Sequence, residues 1–151
     1  MATTPINRRQ LIEALNGDLS REYQAITAYV VYSQVIKGAE FMAIAKELEK
    51  HATQELAHAL KISKHIDYLG GTPTTKALEV KMADDARQLL RFDLDNENET
   101  VRNYRERVKQ CETLQEYGIA EDIREILRQE QEHQIDLATA LGEKVPDVSR
   151  R

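Results

Sequence analysis

Apolar residues recur every three to four positions along four long stretches of this chain, and very little interrupts them. The first stripe is Leu11, Leu15, Leu19, Ile26 and Tyr29, and the second runs from Phe41 through Ile44, Leu48, Leu56 and Ile62 to Ile66. The third holds Ala86, Leu90, Leu94, Val101, Tyr104 and Val108, and the fourth Ile119, Ile123, Leu127, Leu137 and Leu141. That period belongs to amphipathic helices. Asn7 and Asp84 or Asp85 are candidate N-caps, while Gly38, Gly70-Gly71, Gly118 and Gly142 are candidate breaks. The spacing predicts helices over about 8–37, 39–69, 83–113 and 118–142. Only six Gly and three Pro occur among 151 residues, as expected of an all-α chain. The segment "GGTPTTKALEV" is rich in turn formers and reads as a crossover. The expectation is a single all-α domain over 1–151, a four-helix bundle of two antiparallel hairpins joined by one long connection.

Several function classes fall away at once. No apolar run reaches the roughly 18 residues of a membrane span, and "MATTPINRRQ" carries no apolar signal core, so a cytoplasmic protein without a membrane partner is expected. Cys111 is the only cysteine, which excludes an internal disulfide or a cysteine metal cluster and suits a packing role. The net charge is −5, and the pairs Arg8-Arg9 and Arg150-Arg151 make a poor basic footprint, so nucleic acid is not expected as a partner.

The two halves repeat. A shift of 75 positions carries Leu15 to Leu90, Asp18 to Asp93, Leu19 to Leu94, Glu22 to Glu97, Tyr29 to Tyr104, Glu55 to Glu130 and His58 to His133. Apolar matches follow from any two similar hairpins. Recurring Glu and His on inward stripes do not.

Register brings those ionisable groups together. Glu22 and Glu55 lie equally far from the break at Gly38, so antiparallel neighbours hold them at one level, about 24 Å from the turn. Glu97 and Glu130 are symmetric about a second break near position 113. Residues three apart share a helix face, so Glu55 with His58, and Glu130 with His133, point the same way. Four carboxylates and two imidazoles then converge mid-bundle, where burial without compensation is strongly unfavourable. Two divalent cations would balance four carboxylates, and oxygen-plus-imidazole donors suit Fe or Mn better than structural Zn. Without metal the layer is expected to raise some Glu pKa values and cost stability, so that Glu22→Gln with Glu97→Gln should stabilise the metal-free protein.

The pattern Glu22, Glu55-x-x-His58, Glu97, Glu130-x-x-His133 resembles the ligand set of ferritin-like di-iron carboxylate proteins. The stretches "REYQAITAYVVYS", "QELAHALKI", "LLRFDLDNE" and "IREILRQEQEH" are most similar to the four helices of bacterioferritins, over roughly residues 8–142. The resemblance implies a ferritin-like bundle with two Fe ions per subunit. Glu55 and Glu130 would bridge them, Glu22 and His58 would complete one site, and Glu97 and His133 the other. Tyr29 matches the family's tyrosine beside the metals, as hydrogen-bond partner or electron donor.

Three departures are visible. Leu56 stands where haem-carrying bacterioferritins have the ligand methionine, so no haem is expected. Lys50 replaces an inner-surface histidine, so that auxiliary iron site is not expected. The chain stops nine residues after Gly142, short of the family's fifth helix, which leaves a homo-oligomer of 12 or 24 subunits open. His51 and His65 continue a heptad through His58 but lack its Glu partner, and read as packing or polar residues.

The function so implied is that of a ferroxidase and iron-storage subunit, taking Fe(II) and O2 or H2O2 as substrates. A rubrerythrin-like or manganese catalase-like peroxide-removing enzyme, or a DNA-protecting mini-ferritin shell, would use the same ligands.

Overall fold

Four helices emerge where the apolar period runs: α1 (Arg8–Val35), α2 (Met42–Tyr68), α3 (Ala86–Thr113) and α4 (Tyr117–Ala140), with a 3-10 turn at Ala39–Phe41. They are seen in a computed structural model that describes residues 6–149, so Arg150 and Arg151 lie outside the described residues. The helix α1 packs antiparallel on α2, and α3 on α4; the hairpins then meet through α1 on α3 and α2 on α4. Among the described residues no strand forms, and no helix is long and apolar enough to cross a membrane.

The caps explain the starts and stops. The Asn7 side chain accepts from the Gln10 backbone N–H at 2.8 Å, and the Gln10 side chain accepts from the Asn7 N–H at 2.9 Å, a reciprocal capping box. Asp85, not Asp84, caps α3 by accepting from the Gln88 N–H. Gly70 and Gly142 take left-handed φ values of 93° and 72° just past α2 and α4, where paired backbone hydrogen bonds close the last turn. The same closure ends α3, but there Gln115 supplies the left-handed residue, at φ 60°. Gly118 therefore is not the breaker: it lies within the first turn of α4.

The crossover does not float. Asn16, Ser20, Tyr23 and Gln24 form a polar stripe on α1 that donates to the carbonyls of Thr72, Lys76, Thr74 and Glu79 in turn. Tyr32 donates to the Lys81 carbonyl. Thus α1 is covered on two sides, by the core and by the crossover.

The apolar interior is two plugs rather than one. Leu11, Leu15, Leu19, Ile62, Ile66, Ile119 and Ile123 fill one end, and Leu48, Leu89, Leu90, Leu94, Leu137 and Leu141 the other. Buried between them lies a layer of carboxylates and imidazoles.

Candidate metal centre

Each helix contributes to that layer. Glu22 comes from α1, Glu55 and His58 from α2, Glu97 from α3, and Glu130 and His133 from α4; all six are at most 2% exposed. One ligand atom from each of Glu22, Glu55, His58 and Glu130 falls within 4.8 Å of the other three, and the same holds for Glu55, Glu97, Glu130 and His133. Glu55 and Glu130 are common to both sets. A sphere of ligands at about 2.0–2.2 Å around a cation has this span.

The imidazoles face inward by Nδ1. That atom of His58 lies 2.9 Å from Glu130 Oε1, 3.4 Å from Glu55 and 3.6 Å from Glu22, while Nδ1 of His133 lies 3.2 Å from Glu55 and 3.7 Å from Glu97. Outward, Nε2 of His58 meets Gln129 Oε1 at 2.5 Å, and Nε2 of His133 meets Gln54 Oε1 at 2.6 Å. An amide oxygen only accepts, so each Nε2 carries the proton and each Nδ1 can turn a lone pair to a cation. Gln54 and Gln129 are themselves 75 residues apart. They are functional positions the sequence reading passed over, although the internal repeat marks them.

The outer carboxylates have partners of their own. Tyr29 donates its hydroxyl to Glu97 Oε1 at 2.7 Å, and Tyr104, its repeat mate, donates to Glu22 Oε1. Among the described residues eleven buried side-chain atoms lack a hydrogen-bond partner, and seven of them sit on the six converging residues: Nδ1 of His58 and His133, Oε2 of Glu22 and of Glu97, Oε1 of Glu55, and both oxygens of Glu130. Orphaned buried donor and acceptor atoms are costly, and aimed at one another they fit a pair of divalent cations.

Protonation follows the same division. Burial and the charge of Glu22 push Glu55 well above the usual carboxylate range, and burial with Glu55 and Glu97 does the same to Glu130. Burial would also raise Glu97, but the neighbouring Glu130 and His133 groups and the hydroxyl of Tyr29 bring it down to about 2. Burial would lower His58 and His133, yet the carboxylates around each raise both. The carboxyls pushed toward the neutral form are therefore the central pair, in line with the expectation that some Glu pKa values in this layer are raised.

Two flanking features complete the layer. Asp18 takes a two-pronged ion pair from Arg107, at 2.6 and 3.0 Å, whereas its repeat mate Asp93 keeps Oδ2 unpartnered and is pushed well up by burial and Glu97. His51 and His65 take polar roles, each pairing across to α4, with Asp136 at 3.1 Å and Asp122 at 2.7 Å.

Residues 12–144 match the family model for the ferritin-like domain. The chain belongs to the ferritin-like family. Among ferritin-like relatives, bacterioferritin of Brucella melitensis biotype 1 is 25% identical over 142 residues, spanning 89% of this chain and 88% of that protein. Bacterioferritin of Rhodobacter capsulatus is 28% identical over 128 residues, 84% of this chain and 79% of that one. In space, ferritin-like diiron-carboxylate proteins from Bacillus anthracis str. Ames superpose with a TM-score of 0.85 at 33% identity, covering 89% of this chain and 96% of that one. A bacterioferritin-related protein from Bacteroides fragilis, described as a dodecameric thioferritin, superposes at 0.84 with 28% identity, covering 91% and 87%. The ferritin-like fold is thus common to chains that differ at most positions.

Proposed function

We propose that this chain is a ferroxidase subunit that oxidises Fe(II) at the central cluster and stores the product iron inside a hollow homo-oligomer. The observation that carries the reading is the concentration of unpartnered buried atoms, seven of eleven among the described residues, on Glu22, Glu55, His58, Glu97, Glu130 and His133. In this reading Glu55 and Glu130, shared by both ligand sets, bridge two Fe(II) substrates. Glu22 with His58, and Glu97 with His133, close the two ends. Each Fe(II) gives one electron, and the pair reduces O2 to H2O2, or H2O2 to water, with two protons taken up. Four carboxylates balance two divalent ions and favour the harder Fe(III) state. Gln54 and Gln129 hold the imidazole tautomers, and Tyr29 and Tyr104 hold the outer carboxylates in place.

The storage step draws on the bacterioferritin relatives, and a 12-subunit shell on the dodecameric Bacteroides neighbour. Haem has no part in it, because Leu56 offers no donor atom at the position the resemblance marks.

Aerobic Fe(II) addition, with the mass of the assembly followed by light scattering, tests this. The parent should oxidise Fe(II) rapidly and retain many irons per subunit in a shell-sized particle. Glu130→Ala should bind two fewer ions per subunit anaerobically and lose the rapid phase. Iron that never exceeds a few ions per subunit would replace storage with a peroxide-reducing role, and a Glu130→Ala protein with full binding would remove the bridge.

A further inference from the structure

The heptad on α2 makes three contacts with α4: His51 with Asp136, His58 with Gln129 and His65 with Asp122. The middle one serves the central cluster. The two ends look alike in sequence but differ in one neighbour. Glu47 stands one turn before His51, on the same face, whereas Lys61 stands one turn before His65.

That difference builds a ligand set at one end only. One donor atom from each of Glu47, His51 and Asp136 falls within 4.8 Å of the other two. His51 is 1% exposed, while the side chains of Glu47 and Asp136 are 40% and 39% exposed. The set therefore straddles the boundary, with its nitrogen inside and its oxygens at the surface. Nε2 of His51 donates to Asp136, since a carboxylate only accepts, and the buried Nδ1 has no hydrogen-bond partner, so a cation that takes Nε2 leaves Nδ1 free to receive the ring proton.

Access and continuity point the same way. A groove of about 280 Å³ opens onto the set, and its lining includes three carboxylates, Glu40, Glu47 and Asp136, with no basic residue. Such a groove concentrates cations. Lys50 sits 3.1 Å from Glu47, but an exposed pair three residues apart on one helix is weak and readily displaced. On the inner side the His51 ring stacks on His133 with centroids 3.9 Å apart, and Tyr29 closes its edge at 5.0 Å. The acidic groove, the half-buried ligands and the central cluster are thus consecutive.

We propose that Glu47, His51 and Asp136 form a third divalent-cation site, through which Fe(II) is handed from the groove to the central cluster. One imidazole and two carboxylates suit a first-row divalent ion, and a set of only three protein ligands leaves positions for water, as an exchanging site needs. This inference rests on reading the central cluster as a metal site.

Anaerobic Co(II) titration of the assembled protein, followed by visible absorption and calorimetry, tests it. The parent should bind three Co(II) per subunit. Asp136→Asn and Glu47→Gln, both half-exposed and nearly isosteric, should each bind two, Asp122→Asn three, and Glu130→Ala one. In stopped flow the two central ions should fill about tenfold more slowly in Asp136→Asn, with an unchanged end point. A parent that binds two ions, both lost in Glu130→Ala, would overturn the third site and leave the central reading intact. A parent that binds one ion, lost in Asp136→Asn and kept in Glu130→Ala, would overturn the central reading instead. Three ions with unchanged filling in Asp136→Asn would overturn the hand-over.

Discussion

Imidazole orientation at the centre is set by two amides rather than by the carboxylates it faces. Gln54 and Gln129 accept from Nε2 of His133 and His58, so Nδ1 is the nitrogen of each ring that is turned to the centre and open to a cation. Burial acts in the opposite sense on Cys111, which is fully buried and has its thiol pushed up to about 11. Since the thiolate is the reactive form, alkylating reagents at pH 8 should leave native Cys111 unlabelled and modify it only after denaturation, as mass spectrometry would show. Labelling at the rate of a free thiol would mean that this end of the bundle opens readily. The residues legible in the sequence were those the 75-residue shift repeats, namely the six converging groups and the Tyr29–Tyr104 pair. Gln54 and Gln129 were equally legible by that shift and were passed over for want of charge. The role of His51 was not, because Ile126 occupies the repeat position and its partner Asp136 comes from a different helix.

Helix ends show where local rules give way to geometry. Three helices close with the same backbone pattern, two with glycine past the end and one with Gln115. A left-handed residue with a Cβ costs roughly 1–2 kcal/mol, while glycine costs chain entropy in the unfolded state. Gln115→Gly should therefore stabilise the protein by about 0.5–1 kcal/mol, visible as a raised denaturant midpoint at unchanged slope. A lowered midpoint would show that the Gln115 side chain does more than occupy the turn. This end was misread in sequence because Gly118 is the obvious breaker and glutamine carries no turn signal. The periodicity placed the helices themselves, and Asn7 and Asp85 their starts. The docking of the crossover onto α1 was not legible: the stripe of Asn16, Ser20, Tyr23 and Gln24 donates to backbone carbonyls, which any residue type supplies.

Across the whole molecule, a charged layer divides the core, and its protonation decides what the metal-free bundle gains from folding. Glu55 and Glu130 have pKa values well above the ordinary 4.5 when folded. The folded state then holds more protons than the unfolded state once the pH exceeds about 4.5, so this pair's contribution to stability, full at lower pH, drains away as pH rises. Replacing one of them with an uncharged isostere removes that loss. Metal-free Glu130→Gln should be more stable than the metal-free parent at pH 7.5, by about 1–4 kcal/mol, with a flatter dependence on pH and a difference that shrinks toward pH 4.5. Glu22 and Glu97 are poorer targets, because Tyr104 and Tyr29 already satisfy one oxygen of each. Divalent metal should invert the order: ligand that binds only the folded state stabilises the parent by mass action, while the variant lacks one carboxylate of the proposed bridge. Binding must also expel the protons held on Glu55 and Glu130, so calorimetry of Co(II) binding in buffers of different ionisation enthalpy should register proton release. Scanning calorimetry of both proteins, with chelator and with Co(II), at pH 4.5 and 7.5, checks the inversion. A metal-free parent as stable as the variant at both pH values would mean that the central carboxylates are already compensated without a cation. The pressure for two ions between two apolar plugs would then be absent.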